Sequence, residues 1–231
     1  MPKLETIVMS VGGSLIVPDQ IDTNFLSNLK NLITKETAKG RRFIIIAGGG
    51  RTARRYQDAA SAVSELKNED LDWLGLHATR LNGHLLLTIF RDLAYRVMVT
   101  NPDDVLDMPP DAPLIVAAGY RPGASTDLRA IQIAARVAAN KVINLSNTDY
   151  VYTDNPKTNP EAEKIEDITW AEFRKLIPEE WDPGLSSPFD PVAAREAERR
   201  KIEVAQLNGT NIENLDAYLN GQTFIGTRIH N

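Results

Sequence analysis

Cysteine is absent from this 231-residue chain, and histidine occurs only three times. The lack of cysteine excludes disulfide bonds, thiolate metal sites and a cysteine nucleophile. The three histidines, His77, His84 and His230, are too scattered along the sequence to predict a zinc site. Because a chain without cysteine suits a reducing compartment, we expect a cytoplasmic protein.

Long apolar runs and an excess of positive charge are also missing. No run reaches the ~18–20 residues needed to span a bilayer, and the opening segment MPKLETIVMS predicts the start of a strand rather than a signal peptide. The formal net charge is -5, which argues against general binding to nucleic acid or to a membrane surface. Any cationic chemistry must therefore come from local clusters of basic residues.

The elements that are present alternate between strands and helices. Apolar runs predict strands at 6–11, 42–47, 95–99, 114–118, 141–145, 202–207 and 223–229. Helical periodicity and capping residues predict helices at 24–37, 51–66, 71–92, 125–139, 190–200 and 212–219, with a short helix opened by a capping box at Thr169 and Glu172. We therefore expect an α/β fold, a three-layer αβα sandwich with a mainly parallel sheet, and a single domain over residues 1–231.

Glycine and small polar residues follow several of the predicted strands. They form the segments Gly12-Gly13-Ser14, Gly48-Gly49-Gly50, 119–123 and 146–149. Parallel sheets bind ligands at the carboxyl ends of their strands, and a glycine loop that opens a helix offers free N–H groups to a phosphate. One such turn is common packing chemistry, but packing does not require several at one edge. The pattern predicts a phosphate site there, with Arg51, Arg54 or Arg55 as the neutralising cation.

Two standard nucleotide-binding motifs can be tested directly. The sequence contains no G-x-x-x-x-G-K-[ST], which excludes a P-loop NTPase. Gly48-x-Gly50-x-x-Ala53 matches G-x-G-x-x-A, but a dinucleotide fold also needs an acidic residue at the end of the following strand. The residues at that spacing, Asp70 and Asp72, are predicted to lie between helices, so we set the dinucleotide interpretation aside.

An ordered set of motifs resembles the amino acid kinase superfamily. The set consists of V-G-G-S-L at 11–15, A-G-G-G-R-x-A-R at 47–54, G-x-R-P-G-x-S-T-D at 119–127, S-N-T-D-x-V-Y-T-x-N-P at 146–156 and S-S-P-F-D-P-x-A-A at 186–194. The similarity covers nearly the whole chain and is strongest to the uridylate kinase branch of the archaeal type.

This resemblance implies an activity and an assembly. The reaction would be transfer of the γ-phosphoryl group of ATP to UMP, giving UDP, with Mg²⁺ as cofactor. The assembly would be a homohexamer built as a trimer of dimers. The N-terminal part would bind mainly the acceptor, and residues from about 140 to 231 would bind mainly ATP.

The resemblance also implies site residues. The ATP-binding positions are Gly13, Ser14, Gly50, Arg54, Ser146, Asn147, Tyr152 and Asn155. The UMP-binding positions are Gly49, Asp72, Tyr120, Arg121, Pro122, Gly123, Ala124, Ser125 and Thr126. The catalytic positions are Gly12, Gly13, Arg54 and Asp127, and Mg²⁺ ligands are left unassigned. A helix N-cap is the alternative role for Asp72, and a buried core residue is the alternative for Tyr152.

The chain departs from the superfamily pattern at a few positions. Ser10 stands where many members carry a lysine, so the cation that stabilises the transition state is open among Arg51, Arg54, Arg121 and Lys157, and Arg54 is favoured. Asn155 replaces a usual aspartate, and Tyr150 replaces a usual glycine.

Two alternatives to a UMP kinase are left open. One is a sister kinase with a different phosphate or carboxylate acceptor. The other is a non-catalytic nucleotide- or oxoanion-binding relative, similar to the molybdenum storage proteins. Selectivity between UMP and CMP is also left open.

Overall fold

The computed structural model describes residues 5–156, 158–180 and 187–231. The strands are β1 (Thr6–Val11), β2 (Arg42–Ala47), β3 (Leu114–Ala117), β4 (Lys141–Ser146), β5 (Val151–Tyr152), β6 (Lys164–Ile165), β7 (Asp167–Thr169), β8 (Glu203–Asn208) and β9 (Thr227–His230). The α-helices are α1 (Gly13–Ile16), α2 (Thr23–Ala38), α3 (Gly50–Val63), α4 (Asn68–Ile89), α5 (Thr126–Arg136), α6 (Trp170–Phe173), α7 (Pro191–Arg200) and α8 (Ile212–Leu219). A 3₁₀ helix spans Pro102–Asp107.

The main sheet has the strand order β3-β2-β1-β4-β8-β9-β7. The first five strands of this order run parallel, and β9 runs antiparallel to β8. The chain adds β2 and β3 on one side of β1, and then β4 and β8 on the other side. The pair β1 and β4 is therefore the point where the strand order reverses, and ligands bind at such a point in open α/β sheets.

Two hydrophobic layers cover the faces of the sheet. Val8 of β1 packs in one cluster with Ile131 of α5 and Ala194 of α7. Its neighbour Met9 points to the other face, where it packs in a second cluster with Leu29 of α2. The side chains of a strand alternate between faces, so β1 is buried on both sides. This arrangement confirms the predicted sandwich with a mainly parallel sheet.

Several predicted elements differ from the structure. Segment 95–99 is not a strand, because it pairs with β3 only through isolated bridges at Ala94 and Val99 while Arg96 and Val97 turn out to solvent. The helices predicted to reach residues 66, 92 and 139 end at residues 63, 89 and 136. At the end of α5 the chain turns at Ala138, whose φ of 55° lies in the left-handed region.

Helix α3 packs against α4 but buries none of its own residues within the chain. Its outer side carries Tyr56 and Val63, and Val63 is 85% exposed. The neighbouring helix α4 adds the exposed apolar side chains of Trp73 and Leu81. Among the described residues, no helix has both the length and the apolar character required to cross a bilayer.

Candidate active site

Two glycine loops touch each other at the carboxyl ends of β1 and β2. The strands pair in parallel register up to Val11 and Ala47, so their following loops leave the sheet side by side. A Cβ added at Gly13 would lie 1.9 Å from the backbone nitrogen of Gly50, and one at Gly48 would lie 2.3 Å from the nitrogen of Gly13. Only glycine permits this backbone approach, and Gly50 also needs its φ of +64°.

The contact leaves backbone donors free at the start of two helices. Helix α1 begins at Gly13 and helix α3 at Gly50, and the first N–H groups of a helix have no partner within it. Over the described ranges, no acceptor is bonded to the N–H groups of Gly13, Ser14, Gly49 and Gly50. Gly12 differs, because its N–H donates to the carbonyl of Leu145 at 2.8 Å. Gly12 therefore fixes the loop and supplies no donor to a phosphate.

A cleft of about 380 Å³ opens in front of these donors. Loops from β1, β2, β3 and β4 line it, as expected for strands whose carboxyl ends meet at one edge of the sheet. The residues predicted for the site that line the cleft are Gly12, Gly13, Ser14, Gly49, Gly50, Arg54, Asp72, Arg121, Pro122, Ala124, Ser125, Thr126, Asp127, Ser146 and Asn147.

The remaining predicted site residues lie elsewhere. Tyr120 and Gly123 belong to the β3–α5 loop but do not line the cleft. Tyr152 pairs with Lys164 in the small β5–β6 sheet, and Asn155 lies in the exposed turn beyond it. The structure therefore does not bring these two ATP-side residues to the cleft. Lys157 and the motif residue Ser186 lie outside the described residues.

The start of α5 forms the side of the cleft that was predicted to bind the acceptor. Ser125 caps this helix by accepting a hydrogen bond from the N–H of Leu128 at 3.2 Å. Asp72 accepts a hydrogen bond from the N–H of Gly123 at 2.7 Å. Asp72 lies inside α4, whose N-cap is Lys67, so the alternative role of helix cap does not apply. In this structure Asp72 organises the β3–α5 loop.

Three polar residues of α4 brace the loops, and sequence reasoning missed all of them. Asn82 is 3% exposed and donates to the carbonyls of Gly48 at 2.7 Å and Gly49 at 3.1 Å. Thr79 accepts from the N–H of Gly119 at 2.8 Å. Arg80 donates to the carbonyl of Gly119 at 3.1 Å and to that of Tyr120 at 3.0 Å. The sequence carried one signal for them, which is polar residues on the apolar face of a predicted helix. Buried polar groups need hydrogen-bond partners, so such residues indicate contacts with another part of the chain.

Asp127 lies at the floor of the cleft. Its carboxylate accepts a hydrogen bond from the hydroxyl of Ser10 at 3.1 Å, and Ser10 is 1% exposed. Burial, together with the nearby carboxylate of Asp190, raises the pKa of Asp127 to about 7. Among the described residues, Asp127 has no ion-pair partner. The carboxyl group therefore holds its proton close to neutral pH in the free protein.

Hydrogen-bonded, buried amide side chains support the side of the cleft formed by β4. Asn144 on β4 donates to Gln206 on β8 at 2.7 Å, and Gln206 donates to the hydroxyl of Ser146 at 2.9 Å. Asn144 and Gln206 are 5% and 0% exposed. Because each amide is fixed by its neighbour, the hydroxyl of Ser146 has a defined orientation at the cleft. Asn144 also lines the cleft and was absent from the predicted set.

The three arginines of α3 have different environments. Arg55 pairs with Asp19 at 2.7 Å and does not line the cleft, so it is a surface helix residue. Arg51 and Arg54 both line the cleft. Arg54 is exposed, and within the described parts of the chain its side chain makes no hydrogen bond or ion pair. Arg51 is exposed as well, and within the same parts of the chain its side chain makes no hydrogen bond or ion pair, so both arginines are available to a bound phosphate.

No group of three or more His, Asp or Glu residues capable of holding a metal ion occurs within the described residues. The carboxylates that line the cleft are Asp72 and Asp127, and both already accept a hydrogen bond. Such a donor set fits Mg²⁺, which proteins usually hold through one or two carboxylates, water and the phosphates of a substrate. It does not fit a dedicated protein cage for a metal.

Comparison with known proteins agrees with this geometry. Residues 5–206 match the model of the amino acid kinase family, and the chain belongs to that family.

Individual relatives narrow the assignment. The chain is 33% identical over 227 residues to the uridylate kinase of Methanospirillum hungatei, covering 98% of this chain and 95% of that protein. It is 34% identical over 190 residues to the uridylate kinase of Pyrococcus abyssi, covering 81% of this chain and 83% of that protein. Within the amino acid kinase family, the chain belongs to the uridylate kinases.

Solved structures agree on the fold. The crystal structure of the uridylate kinase from Archaeoglobus fulgidus superposes with a TM-score of 0.82 at 25% identity, covering 98% of this chain and 100% of that one. The UMP kinase of Ureaplasma parvum superposes with a TM-score of 0.80 at 19% identity, covering 99% of both chains. The β1–β4 switch point and its loops therefore belong to a shared architecture.

The glycine contact predicts a specific loss of activity. Replacing Gly13 with alanine places a methyl group against the backbone of Gly50, which cannot rotate away. The two loops must separate, and a displacement of about 1 Å in a phosphoryl-transfer site costs on the order of 10²-fold in rate. We expect kcat to fall by at least that factor, measured by ADP release. Gly221→Ala is the control, because a Cβ there meets nothing within 4 Å and strains only its own positive φ, far from the glycine contact. Equal activity of the two variants would contradict the role given to the contact.

The protonation of Asp127 predicts a pH-dependent stability. In the folded chain its carboxyl stays protonated up to about pH 7, whereas in the unfolded chain it ionises above about pH 4. Its contribution to stability is therefore lost as the pH rises from about 4 to 7, by up to about 1.4 kcal/mol per pH unit. The difference in unfolding free energy between the wild type and Asp127→Asn, from guanidinium titrations, should fall over this range. The exposed Asp58→Asn variant is the control, and parallel curves for wild type and Asp127→Asn would refute the assignment.

Proposed function

We propose that the protein transfers the γ-phosphoryl group of ATP to UMP, giving UDP and ADP. The observation that carries this proposal is the set of four free N–H groups from Gly13, Ser14, Gly49 and Gly50 at the mouth of one cleft. They lie between an acceptor side at α5 and a side formed by β4. The relatives described above are named for the same activity.

The geometry supports an in-line displacement. An oxygen of the UMP phosphate attacks the γ-phosphorus, and the bond to the oxygen bridging the β and γ positions breaks as ADP leaves. In such a reaction catalysis comes mainly from positioning and from charge stabilisation on the equatorial oxygens. The free N–H groups of the two glycine loops can donate to those oxygens from two sides. Ser125 and Thr126, at the start of α5, are proposed to hold the UMP phosphate.

The ATP side is proposed to consist of Gly13, Ser14, Gly50, Arg54, Ser146 and Asn147, all of which line the cleft. Tyr152 and Asn155 remain proposals from sequence alone, because they lie outside it. Mg²⁺ bound with ATP would supply positive charge at the phosphates, and Asp127, which lines the cleft, is proposed to hold it through water. Ser10 keeps Asp127 oriented toward the cleft.

We also propose that the protein works in the cytoplasm as a homohexamer built from dimers. The exposed apolar face of α3 and α4 supports a dimer contact, since α3 buries nothing within its own chain. Light scattering coupled to size-exclusion chromatography measures the assembly, and a monomer at micromolar concentration would remove this proposal.

The direct test is a coupled assay of ADP release with a panel of acceptors. We expect turnover with UMP that depends on ATP and Mg²⁺, and little or none with acetylglutamate or isopentenyl phosphate. CMP belongs in the panel because the cleft does not itself fix the base. Turnover with another acceptor and none with UMP would indicate a sister kinase. ATP binding without transfer to any acceptor would indicate a non-catalytic relative.

Arg54 is proposed as the cation that stabilises the transition state. Because its side chain is exposed and lines the cleft, it is free to move onto the transferring group. Arg54→Ala should lower kcat by about 10²–10³-fold, the size typical of one electrostatic group. Arg55→Ala is the control, since Arg55 pairs with Asp19 away from the cleft. A change confined to KM would contradict the role of Arg54.

A further inference from the structure

A buried arginine lies behind the acceptor side of the cleft. Arg129 is on α5, four residues after the cap Ser125, and is 3% exposed. Its guanidinium lies 5.5 Å from the centre of the Tyr120 ring. One terminal nitrogen donates to the side-chain oxygen of Gln132 at 2.6 Å, and the other to the carbonyl of Arg121 at 3.4 Å. The Nε of Arg129 has no partner within the described residues.

This buried charge lacks a counter-ion. Among the described residues, no carboxylate forms an ion pair with Arg129. The carboxylate of Asp190 is near, but it accepts hydrogen bonds from the N–H groups of Ser125, Val192 and Ala193. Burial and then the neighbouring guanidinium of Arg121 lower the pKa of Arg129. Buried charges in proteins are usually paired because desolvation is costly, so an unpaired one needs an explanation.

The surroundings add positive charge. The guanidinium of Arg121 lies 5.6 Å from the centre of the same Tyr120 ring, so two guanidinium groups share one aromatic side chain. Arg80 donates to the carbonyls of Gly119 and Tyr120 in the same loop. Two carboxylates accept hydrogen bonds from this loop, that of Asp72 from Gly123 and that of Asp190 from Ser125, against three guanidinium groups. Around the β3–α5 loop, positive charge thus exceeds negative charge until an anion binds.

We propose that Arg129 is a positioning residue for the phosphate-bearing acceptor. It holds Tyr120 and the carbonyl of Arg121 in place, and its unpaired charge makes the start of α5 favour a phosphate dianion. The ligand-free protein is less stable as a result, and the bound phosphate offsets that cost. This inference rests on the proposed function, in which Ser125 and Thr126 receive the phosphate of UMP.

A purely structural brace makes the opposite prediction about stability. If Arg129 only fastened the loop, its removal would lower the melting temperature and leave UMP affinity nearly unchanged. If the charge of Arg129 instead favours binding of the acceptor phosphate, its removal should leave the ligand-free protein as stable or more stable. Replacing buried charges with apolar groups often has this effect. Only under the proposal does removal of the Arg129 charge lower the affinity for UMP while leaving the ligand-free protein as stable or more stable.

The test compares Arg129→Met with Arg129→Lys in the full-length protein. Methionine keeps much of the length of the side chain and its contact with Tyr120 but removes the charge. For Arg129→Met we expect an unchanged or higher melting temperature without ligand and a KM for UMP raised on the order of 10-fold.

The KM for ATP and kcat of this variant should stay close to the wild-type values. The KM for UMP should also rise less steeply with salt than in wild type, because one favourable charge is gone. Arg129→Lys should restore most of the affinity for UMP.

Arg42→Met is the matched control. Arg42 is also a buried arginine at 8% exposure, and it donates to the carbonyls of Ala112 at 3.2 Å and Pro109 at 3.3 Å. It begins β2, at the end of the sheet opposite the cleft. Its loss should lower the melting temperature and leave the KM for UMP and its salt dependence unchanged.

Three outcomes would overturn the proposal. The first is an Arg129→Met variant that is destabilised or unfolded, and the second is one that keeps the wild-type KM for UMP. Either result would indicate that Arg129 has only a structural role. Failure of lysine to restore affinity would show that shape rather than charge matters. Absence of UMP turnover in the wild type would instead remove the proposed function itself, and it is measured before any variant is made.

Discussion

The site depends on one backbone contact, the approach of Gly13 to Gly48 and Gly50 at the ends of two neighbouring strands. Parallel pairing of β1 and β2 brings the loops to the same edge, and the missing side chains let the backbones close to distances that any Cβ would block. Each loop then opens a helix, so the free N–H groups of two helix starts converge. A phosphoryl group placed between them would meet donors from separate parts of the chain, and this arrangement needs no side chain.

That contact would not hold its geometry without support from behind. The hydrogen bonds from Gly12 to Leu145 and from Gly48 to Val11 hold only the first residue of each loop to the neighbouring strand, and the rest of each loop needs other support. Helix α4 supplies the missing support, because Asn82 binds the carbonyls of the second glycine loop while Thr79 and Arg80 bind the β3–α5 loop. One helix therefore sets the distance between the second glycine loop and the β3–α5 loop. Positions far from any reacting atom can control the reaction in this way.

The architecture was predictable because it follows local rules. Apolar strands alternating with helices predicted the parallel sheet, and glycine after strands predicted the cleft. Segment 95–99 has the composition of a strand but bridges β3 only at Ala94 and Val99, so that prediction was wrong for a physical reason. The predicted roles of Tyr152 and Asn155 come from a motif, which does not report how far the β5–β6 turn lies from the cleft, and they stay predictions. The contacts of Asn82, Asn144 and Gln206 depend on partners distant in sequence, which periodicity cannot identify.

Ser10 shows how one substitution redistributes charge across the site. A lysine at this position on β1 would pair with Asp127, keep that carboxyl ionised and place a fixed cation beneath the transferring group. Serine only donates a hydrogen bond, so Asp127 is left half-buried and without an ion pair among the described residues, with its pKa raised to about 7. Positive charge is found instead at the rim, on the exposed side chain of Arg54, and behind the acceptor loop, on the buried side chain of Arg129. A cation at the rim is hydrated and mobile until substrate brings it in, whereas a buried cation is in place beforehand and reduces the stability of the empty protein. In the roles proposed for them, Arg54 would stabilise the transition state and Arg129 the bound acceptor, so the positive charge of the site is divided between two side chains.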